Sequence, residues 1–327
     1  MELYPLKCIT RDGYVVRVGD GNIIRRFEKT PTPKKNSDVI CPHFTQLAWA
    51  GGCIFNPMCD WCYLMGTYRY EAYKHVDRHV SPRFKKRAEI EKAIKRFLEA
   101  PHLKPHLFNA GELCDSLMQE HAASPFSEWV MPFFEGTPHK VLFLTKTTWI
   151  DHFLEHDWQE NAILAWSINA VRVASEFEGR GKPQGAPNPM ERINAAAKVA
   201  RRGYTVRVRL DPMTPVPDWE RHYRDIIDSM CRRFTPERVT LGSLRGLAST
   251  IAAAADKKWT KYLTESSNWG KKPGLETRLA LYKLAIERLE KHGVERVAVC
   301  KDTKMLWSIL QKEHGLNYKT IECNCLL

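Results

Sequence analysis

A chain of 327 residues, 43% hydrophobic and 27% charged, is long enough to bury a substantial core as one large α/β domain or two smaller ones. No apolar run approaches the roughly 18 residues of a membrane helix, and Met1-Glu2-Leu3-Tyr4-Pro5 lacks the basic-then-apolar plan of a signal peptide, so a cytoplasmic protein is expected rather than a membrane-spanning or exported one. The 50 basic residues outnumber the 38 acidic ones for a net charge of +12, which favours a polyanion such as DNA or RNA, and the ten cysteines of an unexported chain point to metals or catalysis rather than disulfides.

Residues 1–45 read as a basic N-terminal arm, with a weak edge strand at Tyr14–Val18 and a solvated loop carrying Arg25-Arg26 and Lys34-Lys35. A short buried strand at Gln46–Ala50 leads into Gly51-Gly52 and a loop with Cys53, Cys59 and Cys62. From Trp61 to Tyr70 four aromatics occur, and Arg69, Lys74, His75, Arg78 and His79 lie among or after them. Rings can stack on bases while cations hold phosphates, or the rings can simply cover the loop and exclude water. Residues 85–100 have apolar positions at helical spacing, with Pro101 as the stop.

Strands are predicted at His106–Ala110, Lys140–Lys146, Ala162–Asn169, Tyr204–Leu210, Arg238–Leu244 and Val297–Cys300, with helices at 189–200 and 275–291. The Gly-rich and Pro-rich segment from Glu178 to Pro187 reads as a mobile loop. Strands alternating with helices imply parallel βαβ units, and six such units curl into an open barrel whose chemistry gathers at the strand ends. The expected organisation is an arm at 1–45, a barrel at 46–250, and a helical and strand extension at 251–327 packed on it.

The three cysteines, with gaps of five and two residues, suit three corners of an iron–sulfur cluster and leave one iron without a protein ligand. Structural zinc wants a fourth ligand, for which Cys59-x-x-Cys62 has no second matching half, although Cys41 or the Cys323-x-Cys325 pair offers thiols.

Cys-x5-Cys-x2-Cys-Tyr after a short strand resembles the cluster loop of radical S-adenosylmethionine enzymes, with the first gap two residues longer than their commonest form. Later segments, out to about residue 325, resemble the spore photoproduct lyase-like branch. The resemblance implies a partial (β/α)6 barrel with a 4Fe-4S cluster on Cys53, Cys59 and Cys62 at one mouth and S-adenosylmethionine beside it. By the same resemblance, Gly111-Glu112 meets the methionine ammonium, Lys146 the methionine carboxylate, and Ser167 and Asn169 the ribose hydroxyls. An ammonium needs carbonyls and a carboxylate, and glycine lets the backbone approach. Arg207 and Arg209 share a strand face, and an arginine turned into the mouth needs an anion. Arg245 resembles the arginine that meets substrate, Trp61 flanks a cluster ligand on the substrate side, and Tyr63 and Cys114 stand as catalytic candidates. A cysteine such as Cys114 gives a hydrogen atom to a product radical in true lyases. Cys300-Lys301-Asp302 and Cys323-Asn324-Cys325 match the branch without an assigned role.

The expected reaction is reductive cleavage of S-adenosylmethionine to a 5′-deoxyadenosyl radical, with electrons from a reductant such as flavodoxin or ferredoxin. That radical abstracts hydrogen from a DNA base, as in thymine-lesion reversal on a flipped base. Two alternatives stay open: the same radical chemistry on another nucleic acid or a small molecule, and a non-enzymatic zinc-containing nucleic-acid-binding protein.

Overall fold

The computed structural model describes residues 4–5, 7–9, 15–29, 33–55, 59–67, 82–100, 104–179 and 185–327. The aromatic and basic segment from Tyr68 to His79 and the centre of the 178–187 loop lie outside them. The central sheet comprises β1 (Ile24–Lys29), β2 (Val39–Leu47), β3 (Leu107–Asn109), β4 (Lys140–Thr145), β5 (Ala162–Ile168), β6 (Thr205–Met213), β7 (Arg238–Ser243), β8 (Val297–Val299) and the short β9 (Asp302–Thr303).

From β2 to β8 the strands lie side by side in chain order, and each neighbouring pair is parallel. The sheet curls into a half-barrel, as successive parallel units with crossover helices do. β1 runs antiparallel on the outer side of β2. β9 pairs antiparallel with the start of β2, Asp302 opposite Ile40 and Thr303 opposite Val39. That pairing brings the chain just after the last parallel strand back to the first. The barrel strands therefore begin at Val39, and β8, inside 251–327, is the outermost parallel strand, paired with β7.

The three helices that the periodicity predicts form, and Trp219–Cys231 and Lys304–His314 add two that it did not. Arg87–Leu98 turns Ile90, Ala93, Ile94 and Phe97 inward, and Leu275–Lys291 buries Leu279, Tyr282, Ile286 and Leu289. The helix Pro189–Arg201 starts with a capping box: Asn188 Oδ1 accepts from Met190 N (3.0 Å), and Glu191 Oε2 accepts from Asn188 N (2.7 Å). Pro189 at its first position needs no amide partner. No helix among the described residues is long and apolar enough to cross a membrane.

The last residues of the chain enter the barrel near the N-terminal ends of β6 and β7. Arg207 Nη1 donates to the carbonyls of Asn324 (2.8 Å) and Leu326 (2.6 Å), and Arg238 Nη1 to that of Cys323 (3.2 Å). Asn324 is 1% exposed, and its amide donates to Val208 O (3.0 Å) while its oxygen accepts from Thr240 Oγ1 (2.9 Å). Buried backbone carbonyls must be paired, and here two arginines in the barrel wall satisfy those of the tail.

Candidate functional site

The cysteine loop is anchored at both ends. Trp49, just past β2, stacks on Phe126 at 3.9 Å and donates from Nε1 to Ala110 O (3.0 Å). Gly52, at φ +94°, makes the turn, and its amide donates to Leu113 O (3.0 Å). Cys53, Cys59 and Cys62 then line one cavity with Phe55 packed among them. The amides of Leu64 and Met65, at the start of the helix Tyr63–Thr67, lie against the Cys62 sulfur, and that of Phe55 against the Cys53 sulfur. Burial pushes all three thiols up, Cys59 to about 12, so by themselves they stay neutral. Thiolates form there when a metal takes the place of the protons. Three thiols on one wall of a cavity, Cys59 buried and the other two half-buried, with amides aimed at sulfur, fit a group that takes three thiolates and leaves a position open to the cavity.

That cavity has a volume of about 830 Å³ and opens at the C-terminal ends of the parallel strands. Gly111 follows β3, and a Cβ there would sit 2.7 Å from Leu144 Cβ and 2.8 Å from Ser116 Oγ, so only glycine fits. Its amide donates to Asn109 Oδ1 (2.9 Å). The Glu112 carboxylate pairs with Lys301 Nζ (3.2 Å), and the Glu112 carbonyl accepts from the Tyr63 hydroxyl. Cys114 lines the same wall and donates from Sγ to Ala110 O (3.4 Å). Trp61 also lines the cavity and packs on Phe177 at 4.8 Å.

Lys146, just past β4, faces the cavity and is ion-paired with Glu178. Glu178 is fully buried and also takes Arg192 Nη2 at 2.7 Å. Burial pushes its carboxyl up, but Arg192 and Lys146 outweigh this and hold it at about 2. Glu178, read as the start of a mobile loop, is therefore a fixed anion, because two cations, one just past β4 and one on the helix 189–201, converge on it. Ser167 lines the cavity and donates to Asp211 O (3.2 Å).

On the far wall Asp211 sits between two arginines. Arg209 Nη2 reaches Oδ2 at 2.8 Å, and Arg245 Nη2 reaches Oδ1 at 2.7 Å and Oδ2 at 2.8 Å. Burial opposes ionisation of Asp211, yet Arg245 and Arg209 hold its carboxyl well below the usual range. Gly242 makes room for it, since a Cβ there would be 2.5 Å from Asp211 Cγ.

Two of the expected site residues do not line the cavity. Arg207 faces into the barrel but does not line the cavity; its guanidinium is spent on Glu237 Oε2 (2.7 Å) and on the tail carbonyls. It lies two residues earlier than Arg209 on β6, which in an extended strand puts it deeper by about 6.6 Å. Asn169 does not line the cavity; it is 1% exposed, and its side chain meets Pro212 O (2.7 Å), Tyr223 OH (2.9 Å) and Ala170 N (2.9 Å), so it braces the end of β6.

Sequence reasoning missed Asp115, Asp211 and Lys301, which also line the cavity. Asp115 accepts from Thr145 Oγ1 (2.7 Å) and Lys146 N (2.7 Å), locking β3 to β4. Its place three residues after Glu112 was a usable signal, as was Lys301 in the unassigned Cys300-Lys301-Asp302. Nothing local marked Asp211.

The family model for spore photoproduct lyase matches residues 42–243, more than half of the chain. The chain belongs to the spore photoproduct lyase family. It is 24% identical over 207 residues to the spore photoproduct lyase of Bacillus subtilis (strain 168), and 25% identical over 222 residues to that of Geobacillus sp. (strain Y412MC61). These matches cover 63% and 68% of this chain and 55% and 58% of the relatives, so the chain spans little more than half the length of the curated relatives it matches. The fold is that of a solved spore photoproduct lyase complexed with dinucleoside spore photoproduct, at TM-score 0.61 and 18% identity over 78% of this chain and 75% of that one. A mutant lyase with bound AdoMet and dinucleoside spore photoproduct gives TM-score 0.60 and 18% identity over 79% and 75% of the two chains. The stretch matching the spore photoproduct lyase family model runs from inside β2 to the last residue of β7. It holds the cysteine loop and Asp211 but stops short of Arg245, Lys301 and the tail.

Proposed function

We propose that this protein is a radical S-adenosylmethionine enzyme that acts on a DNA base lesion in the manner of spore photoproduct lyase. One observation carries the reading: the three thiols share a cavity of about 830 Å³ with three carboxylates, two lysines and two arginines. A 4Fe-4S cluster on Cys53, Cys59 and Cys62, given an electron by flavodoxin or ferredoxin, would with S-adenosylmethionine supply a 5′-deoxyadenosyl radical.

The chain's own residues do the rest. Gly111 lets the end of β3 close on Leu144 and Ser116 beside the cavity, and Glu112 offers a carboxylate to an ammonium. Lys146 presents a cation whose orientation Glu178 holds, and Ser167 presents a hydroxyl. Trp61, Phe55 and Leu64 line the thiol side and keep water from a reactive carbon centre. Arg245 and Arg209, pre-oriented by Asp211, present cationic edges to a phosphate or base carbonyl on the far side. Cys114 is placed to give a hydrogen atom to a product radical, and Tyr63 orients the Glu112 backbone.

In an anaerobic assay with dithionite, the chain is expected to release 5′-deoxyadenosine from S-adenosylmethionine. Cys59→Ala is expected to abolish this release and the iron content together. Undiminished release by that variant would overturn the reading. Incubation with ultraviolet-irradiated, spore-photoproduct-containing DNA is expected to return thymine; turnover without thymine would move the substrate to another nucleic acid or a small molecule.

A further inference from the structure

Four cysteines outside the trio converge inside the barrel. Cys41 stands in β2, Cys300 follows β8, and Cys323 and Cys325 lie in the tail. They line one void of about 20 Å³, walled also by Phe44, Val299 and Asn324. All four are free thiols, Cys41 and Cys323 buried and the other two half-buried.

Nitrogen donors are also aimed at this set. Arg209 Nη2 donates to Cys300 Sγ (3.2 Å), and Asn109 Nδ2 to Cys325 Sγ (3.4 Å). A neutral thiol is a weak acceptor, whereas a metal-bound thiolate welcomes such donors. Arg209, Lys301 and Glu112 form the floor between this void and the larger cavity, since they line both.

We propose that Cys41, Cys300, Cys323 and Cys325 form a second, closed metal site that takes a single soft divalent ion, with Zn²⁺ the ion its ligand set favours. Four thiolates with no open position are the donor set of structural zinc. The void has room for one ion and not for a cuboidal cluster. Binding displaces the thiol protons to solvent and leaves the ion with four thiolates at a net charge of −2, beside Arg209 and Lys301 in the wall of the void.

Among the described residues, the group whose ligand atoms already lie within 4.8 Å of one another is Glu128, His152 and His156 on the surface. The four thiols are spread more widely. Since zinc tetrahedra hold sulfurs about 3.8 Å apart, the ion draws these side chains inward. Loaded, the site ties the first parallel strand, the end of the last and the tail across the seam of the half-barrel. It works as a clasp and does not depend on the role given to Cys53, Cys59 and Cys62.

The test uses the full chain with Cys53, Cys59 and Cys62 all changed to Ala, purified with zinc and freed of excess. About one zinc per chain is expected, with four sulfur ligands at about 2.3 Å in the zinc X-ray absorption spectrum. Adding Cys323→Ser and Cys325→Ser is expected to lower the zinc at least tenfold with the far-ultraviolet circular dichroism unchanged. Should that variant fail to fold, Cys300→Ser alone is expected to replace one sulfur in the spectrum by oxygen or to lose the ion. Less than about 0.1 zinc per chain, nitrogen or oxygen ligands in the parent spectrum, or iron matched by sulfide would each overturn the proposal. Because the trio is absent from every sample, failure here is separate from failure of the radical chemistry.

Discussion

At Gly111 a single hydrogen in place of a methyl decides whether the site exists. Its missing Cβ leaves the space that Leu144 and Ser116 occupy at 2.7 and 2.8 Å from where that atom would be. Gly111→Ala is therefore expected to push β3 from β4, weaken S-adenosylmethionine binding at least tenfold in equilibrium dialysis, and lower the melting temperature by several degrees. Asp211 is the second residue on which much depends. Asp211→Asn removes the anion shared by Arg209 and Arg245, both largely buried, and leaves two guanidinium groups without their counter-charge. Breaking a buried pair in this way costs about 3 kcal/mol or more, read as a lower urea midpoint with unchanged slope. Cys114 and Tyr63 were legible as candidates because both flank motifs. Asp211 was not, because an aspartate before a proline in a strand reads as an ordinary strand end.

Three elements meet at Glu178: the end of β4 through Lys146, the residue just past the helix Val171–Phe177, and the helix Pro189–Arg201 through Arg192. With its carboxyl held at about 2, well below an unfolded value near 4.5, Glu178 binds fewer protons folded than unfolded. Its stabilisation is therefore fully present above pH 4.5 and is lost as pH falls through about 2. Glu178→Gln is expected to be less stable at neutral pH and to show a flatter fall in stability between pH 4.5 and 2, measured by denaturant midpoints across that range. The wild-type chain losing no more stability than the variant in that window would refute the pairing. The element boundaries themselves were mostly readable, since helical and strand periodicities are local and each amphipathic stripe found the sheet.

On the scale of the whole molecule, the tail is part of the barrel. Arg207 and Arg238 bond its carbonyls from the wall, and Asn324 plugs the space between Val208 and Thr240. Arg207→Ala is expected to free the tail, giving faster amide exchange at residues 323–326 and faster carboxypeptidase trimming, while S-adenosylmethionine affinity changes by less than twofold. A large loss of that affinity with an intact tail would return Arg207 to the cofactor's side of the barrel.

The sequence by itself determined the alternation of strands and helices, the position of the cysteine loop, and the strand ends that carry Gly111, Glu112, Lys146 and Ser167. Spacing and periodicity are properties of neighbouring residues, so they survive without coordinates. Only the tertiary structure separated Arg207 from Arg209. On paper they are equivalent, but one meets carbonyls more than a hundred positions away and the other meets Asp211. Only the tertiary structure, too, spent Asn169 on Pro212 and Tyr223, fixed Glu178 between two cations, and gathered thiols from residues 41, 300, 323 and 325 around one void. In each case the side chain's role is set by a partner that the closing of the barrel brings to it, and no local pattern records such a partner.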